Sequence, residues 1–118
     1  MQRFASRPRP AKIVEVVAAV FETPAEEIRE GHGTIERQVV AWLGCYEAMA
    51  RLGSIAAVLR LRSTSRVSAL IVECDHELGK DRNLRIAVDR CIDLLRRDLV
   101  TVPALHRQSY PAAALHAG

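Results

Sequence analysis

The sequence predicts an all-α fold, a small helical bundle that contains a helix-turn-helix. Three observations point there. Apolar residues between Ile13 and Leu99 recur at the three- and four-residue intervals of a helix, and no alternating run of strand length competes with them. Residues that start and stop helices, among them Pro24, Gly31, Gly53 and the run Ser63, Thr64, Ser65, cut this pattern into segments.

Each segment has its own local reason. Ile13, Val16, Val17, Val20 and Phe21 form a stripe at i, i+3, i+4, i+7 and i+8, which sets one face of a first helix against the core. Thr23 can cap, Pro24 suits a first helical position, and Glu26 and Glu27 suit a first turn, so residues 24–30 read as a short helix ended by Gly31 and Gly33. Thr34 is the next cap. From it the longest helix runs to near Gly53, with Ile35, Val39, Trp42, Leu43, Tyr46, Met49 and Ala50 on one side. Ser54 can cap a short helix, Ile55–Arg60. Ser63, Thr64 and Ser65 offer caps for the next one, which turns Val67, Leu70, Ile71, Cys74 and Leu78 inward. A last helix from about Asp81 to Leu99 closes the bundle with Leu84, Val88, Cys91, Ile92, Leu95 and Leu99.

With 118 residues, 49% of them hydrophobic and 26% charged, the chain has the size and balance of one domain, expected over residues 12–100. A basic, proline-containing arm over 1–11 precedes it, and a flexible tail over 101–118 follows, with Pro103, Pro111 and no sustained amphipathic pattern. No stretch approaches the roughly 20 apolar residues that span a bilayer, and the opening segment lacks the apolar run of a signal peptide, so a cytoplasmic protein without a membrane partner is expected. Three cysteines, Cys45, Cys74 and Cys91, sit in apolar helical patterns without metal-ligand spacing and read as free thiols. The histidines His32, His76, His106 and His116 are dispersed, and none pairs with a carboxylate or thiol in a catalytic or metal arrangement. Neither an enzyme nor a cofactor is expected.

Charge is informative through its distribution. Lys and Arg exceed Asp and Glu by only 17 to 14, yet no acid occurs between Ala48 and Val72, where Arg51, Arg60, Arg62 and Arg66 lie. Acids gather at Glu22, Glu26, Glu27, Glu30 and Glu36 and again at Glu73, Asp75 and Glu77. One face should therefore be distinctly positive. Two helices joined by a short turn, Ile55–Arg60 and the helix after Ser63, form a helix-turn-helix candidate. In that motif the start of the second helix faces the base edges of the DNA major groove, so it should be polar or basic there and apolar on its far side. Arg62, Ser63, Thr64, Ser65 and Arg66 meet the demand. Arg66 is the candidate base reader, because an arginine can donate two hydrogen bonds to guanine O6 and N7. Arg60 and Arg62, in the turn, suit phosphates. The bland alternative is a solvated arginine-rich surface.

The segment from Glu36 to Val72 also resembles the C-terminal DNA-binding domain of the bacterial replication initiator DnaA. That family carries an Ala-Arg-Gln start, an Ile-Gly pair and a Gly-Gly-Arg-Asp-His-Thr-Thr-Val signature. Here Arg37 and Gln38 match the first element, Ile55 with Ala56 falls on the second, and Arg62 and Val67 fall on the third, with spacing preserved. Arg60 and Leu61 stand where the family has two glycines, Ser63 and Thr64 replace its Asp and His, and Ser65 and Arg66 replace its two threonines. The resemblance implies that Arg37 and Gln38 touch the DNA backbone and that Arg62 begins the recognition element. No nucleotide-binding loop is present, so a stand-alone domain of this kind implies a transcriptional regulator rather than an initiator. The alternative is an interaction module that kept the fold and contacts a replication or transcription protein without binding DNA. Oligomeric state is left open.

Overall fold

The computed structural model describes residues 7–31 and 34–98, and these form an all-helical bundle. Its elements are α1 (Pro10–Phe21), α2 (Ala25–Arg29), α3 (Thr34–Tyr46), α4 (Leu52–Val58), α5 (Thr64–Lys80) and α6 (Arg82–Asp98). The expected tail, residues 101–118, and Gly33 lie outside the described residues. Of the expected arm over 1–11, residues 1–6 also lie outside the described residues, while Pro10 already opens α1, where its missing N–H costs nothing, and Pro8 is buried.

One core holds the helices together. Ile13, Val14 and Val17 of α1, Ile28 of α2, Val39, Ala41 and Leu43 of α3, Ile55 of α4, Val67 and Cys74 of α5, and Cys91 of α6 are wholly buried in it. The most extensive helix pair is α3 on α5, with α1 packed across both α3 and α6 and α4 lying against α5. At the edge of the α3–α5 pair, Trp42 donates from Nε1 to Asp75 Oδ1 at 2.7 Å, and its ring lies 5.0 Å from that of Tyr46.

The long helix differs from expectation at its end. It stops at Tyr46 rather than near Gly53, and Tyr46 (51% exposed) and Met49 (60%) face solvent rather than the core. The amides of Glu47 and Ala48 return to the carbonyl of Leu43 and that of Ala50 to Gly44, across a left-handed Met49 (φ 55°). Apolar residues that happen to keep a helical interval carried the expected pattern past the true end. The glycine within α3 has a packing reason: a Cβ on Gly44 would lie 2.9 Å from both Cδ1 and Cγ1 of the buried Ile55, so its absence lets α4 approach. Gly53 and Ser54, expected as terminator and cap, are instead inside the first turn of α4, which begins after Arg51.

One cap also differs. Thr23 does not cap α2; its hydroxyl donates to Glu36 Oε2 at 2.9 Å and pins the start of α3. Asp81 serves α6, accepting from the Leu84 amide at 3.0 Å, and divides it from α5. The loop after α3 is tied to α6 by Arg96, whose Nε and Nη2 meet the two carboxylate oxygens of Glu47 at 3.3 and 3.0 Å; that hydrogen bond raises the Arg96 pKa.

Candidate nucleic-acid interface

The helices α4 and α5 are joined by a turn in which only Arg60, Leu61 and Arg62 separate the C-cap Leu59 from the N-cap Ser63. Its conformation follows from how α4 ends. The amide of Arg60 bonds to the carbonyl of Ala57 (3.1 Å) and that of Leu61 to Ala56 (2.8 Å), the paired bonds of a Schellman motif. This motif needs a left-handed residue, and Arg60 supplies it at φ 55°. Glycine ordinarily takes that place because a Cβ there costs ~1–2 kcal/mol. Leu59 is wholly buried and Leu61 half-buried, so the turn is anchored on the core from both sides of Arg60.

From this turn α5 leaves with Ser63 extended at its N-cap (φ −142°, ψ 155°). The Ser63 hydroxyl makes no capping bond and lies 3.1 Å from the Ser65 hydroxyl. The first-turn N–H groups thus receive no side-chain acceptor from Ser63, and there is no acid in the first turn. Arg62, Ser63, Thr64, Ser65 and Arg66 are all exposed. Among the described residues no acid lies within ion-pairing distance of Arg62 or Arg66. The far side of the helix buries Val67, Leu70, Ile71 and Cys74, while Ala69 and Val72 (65% exposed) continue outward from Ser65 at four- and three-residue steps. The acids occupy the distal half, where Glu73 accepts from Gln38, Asp75 from Trp42, and Glu77 pairs with Lys80.

Not every residue singled out in the sequence joins this surface. Arg60 reaches back to α2, 3.4 Å from Glu26 and 3.8 Å from Glu30, rather than standing free in the turn. Arg37 is half-buried, and its guanidinium donates to the carbonyls of Ile28 (2.7 Å), Arg29 (3.2 Å) and Leu59 (3.1 Å). Burial, and secondarily the nearby Arg66 charge, lower its pKa from the ordinary arginine value. Gln38 is 7% exposed and faces α5, with Nε2 donating to Glu73 Oε1 at 3.3 Å. It stands one step past Arg37 on a helix whose next residues, Val39 to Leu43, are almost all core, so the helix period carries it inward. A backbone contact for Gln38, implied by the resemblance, does not fit this placement.

Reasoning from the sequence missed Ala69 and Val72. Their spacing from Ser65 was a sufficient signal, since positions four and seven residues on share a face. It also missed the bond from Arg37 to Leu59, which joins residues far apart in the chain and has no local signature. Among the described residues no cluster of His, Cys, Asp and Glu could hold a metal ion, and no helix is long and apolar enough to cross a membrane. No family model, no curated protein and no solved structure matches the chain.

Proposed function

We propose that this protein binds double-stranded DNA in a sequence-specific manner and regulates transcription, using α4 and α5 as a DnaA-like helix-turn-helix. The observation that carries the reading is the exposed start of α5, where Arg62 and Arg66 stand without acidic partners among the described residues and enclose three hydroxyl side chains. Such a helix end offers phosphate both its dipole and unpaired N–H groups. Arg66 reads guanine through O6 and N7, a contact worth ~1–3 kcal/mol of discrimination. Arg62 takes a phosphate and sets register, and Ser63, Thr64 and Ser65 serve either purpose. The exposed Ala69 and Val72 extend the same face into the groove. Binding of this kind needs no cofactor.

A second reading has its own support. Arg37, Gln38 and Arg60 are all engaged within the protein, which suits an interaction module that kept the fold and contacts a replication or transcription protein. The experiment that separates the two is recovery and sequencing of fragmented host DNA bound by the purified protein at near-physiological salt. Enrichment of a motif near promoters is the expected result, and enrichment at origin-type boxes would redirect the reading to replication. Failure to retain any duplex even at low salt would leave the interaction module in possession.

A further inference from the structure

The carbonyls that receive Arg37 share one property. Ile28 and Arg29 are the last residues in α2, and Leu59 is the C-cap of α4. Carbonyls at helix C-termini lack the regular i+4 amide partner and carry the negative end of the helix dipole, and here the Ile28 carbonyl receives a long bond from the Gly31 amide (3.3 Å) beside that of Arg37. One guanidinium therefore completes two helix ends at once. Gly31 closes over it, its Cβ direction ending 3.6 Å from Arg37 Cζ. Leu59 is the residue from which the turn departs, immediately before the left-handed Arg60. The planar fork of an arginine suits this task, whereas a lysine ammonium presents a point charge from a flexible stem.

The geometry points to Arg37 as a positioning residue. It ties the end of α2 to the end of α4 and thereby fixes the Leu59–Ser63 turn that aims Arg62 and Arg66, its donors spent on carbonyls instead of phosphate. The consequence for DNA rests on the proposed function; the clamp itself does not. The Arg66 charge close by repels Arg37, and the three carbonyls hold the guanidinium in place against it. A direct phosphate contact, the role implied by the family resemblance, is the account this one replaces.

Two variants of the full chain separate them: Arg37→Gln removes charge and fork, and Arg37→Lys keeps the charge alone. In both, the amides of Glu30, Gly31, Arg60 and Leu61 are expected to exchange with solvent roughly tenfold faster, the size of effect for losing a hydrogen bond to a charged group. Val88 and Cys91 in α6 should keep wild-type protection. On DNA, Arg37→Gln should weaken the selected site more than random duplex while leaving the salt slope unchanged, whereas an Arg62→Gln control should flatten that slope by about 0.9. The inference is overturned if Arg37→Gln flattens the slope as Arg62→Gln does, or if Arg37→Lys behaves as wild type. Unchanged exchange at the four amides, or acceleration spread evenly over the molecule, would overturn it equally. If Arg37→Gln does not fold, Arg37→Lys carries the exchange comparison. If the wild type binds no duplex, the proposed function fails and exchange alone decides on the clamp.

Discussion

Replacing Gln38 with methionine should make the protein more stable. The side chain is 7% exposed between α3 and α5, and its Oε1 is buried with no hydrogen-bond partner. An orphaned polar atom of this kind costs ~1–3 kcal/mol. Against removing that cost stands the loss of the Nε2 bond to Glu73. At 3.3 Å the bond is long, and Glu73 is exposed so that water can serve its carboxylate; the loss is about 0.5–1.5 kcal/mol. Methionine has similar length and adapts its shape to the space, and its apolar end adds about 0.8 kcal/mol for each buried methylene equivalent. The net expectation is a gain of about 1 kcal/mol, or ~4–8 °C in melting temperature for a domain of this size. Urea unfolding followed by circular dichroism measures it as a shifted midpoint at constant slope. A loss of more than about 1 kcal/mol would refute the reasoning, because the amide would then be worth more than its orphaned oxygen costs. On the proposed DNA-binding function, the same variant should keep the affinity of the wild type.

Five further outcomes are expected. Gly44→Ala should destabilise by about 1 kcal/mol in the same assay, because overpacking against the wholly buried Ile55 costs ~1–3 kcal/mol and outweighs the ~1 kcal/mol gain in helix propensity; a neutral result would mean that Ile55 moves aside freely. At the left-handed position, Arg60→Gly should be more stable than Arg60→Ala by about 1 kcal/mol, both having lost the ion pairs to Glu26 and Glu30, and equal midpoints would remove the strain argument. Arg66→Ala should relax sequence preference while Arg62→Ala weakens every duplex alike; identical effects on all sequences would take Arg66 out of base reading. Burial pushes the Cys74 and Cys91 thiols up to about 12 from 9.0, helped at Cys74 by Asp75 and Glu77, so at pH 8 a thiol reagent should reach the half-buried Cys45 first. Because the folded form holds these protons more tightly, their contribution to stability is complete below pH 9 and is lost as pH rises toward 12, a dependence that Cys91→Ala should weaken.

The helical stripes were legible because period and burial agree along most of the chain. Ile13, Val16 and Val17, or Leu84, Val88, Cys91 and Leu95, sit where a helix of 3.6 residues per turn sends them. The exposed start of α5 was legible for a similar reason: Arg62 to Arg66 hold no large apolar side chain, and the helix that follows has its own buried stripe. Where reading failed, the missing term was non-local. Gly53 resembles a helix terminator until α4 is seen to begin before it, and Thr23 resembles a cap until Glu36 is seen to take its hydroxyl. Arg60 is a surface arginine to any local rule, yet Glu26 of α2 and Glu30 just past its end claim it. For Arg37 and Gln38, adjacent and both polar, the sequence offers no sign that one clamps helix ends and the other is folded beneath α5.

The protein also carries its own optical gauge. Its single tryptophan is Trp42, which holds the edge of α5 through the bond to Asp75 and has the Tyr46 ring 5.0 Å away as an energy donor. Any event that lifts or rotates α5 on α3 alters the indole's hydrogen bond and its exposure together. Emission from one unlabelled fluorophore therefore reads the seating of this helix directly, in a titration with duplex, partner protein or denaturant.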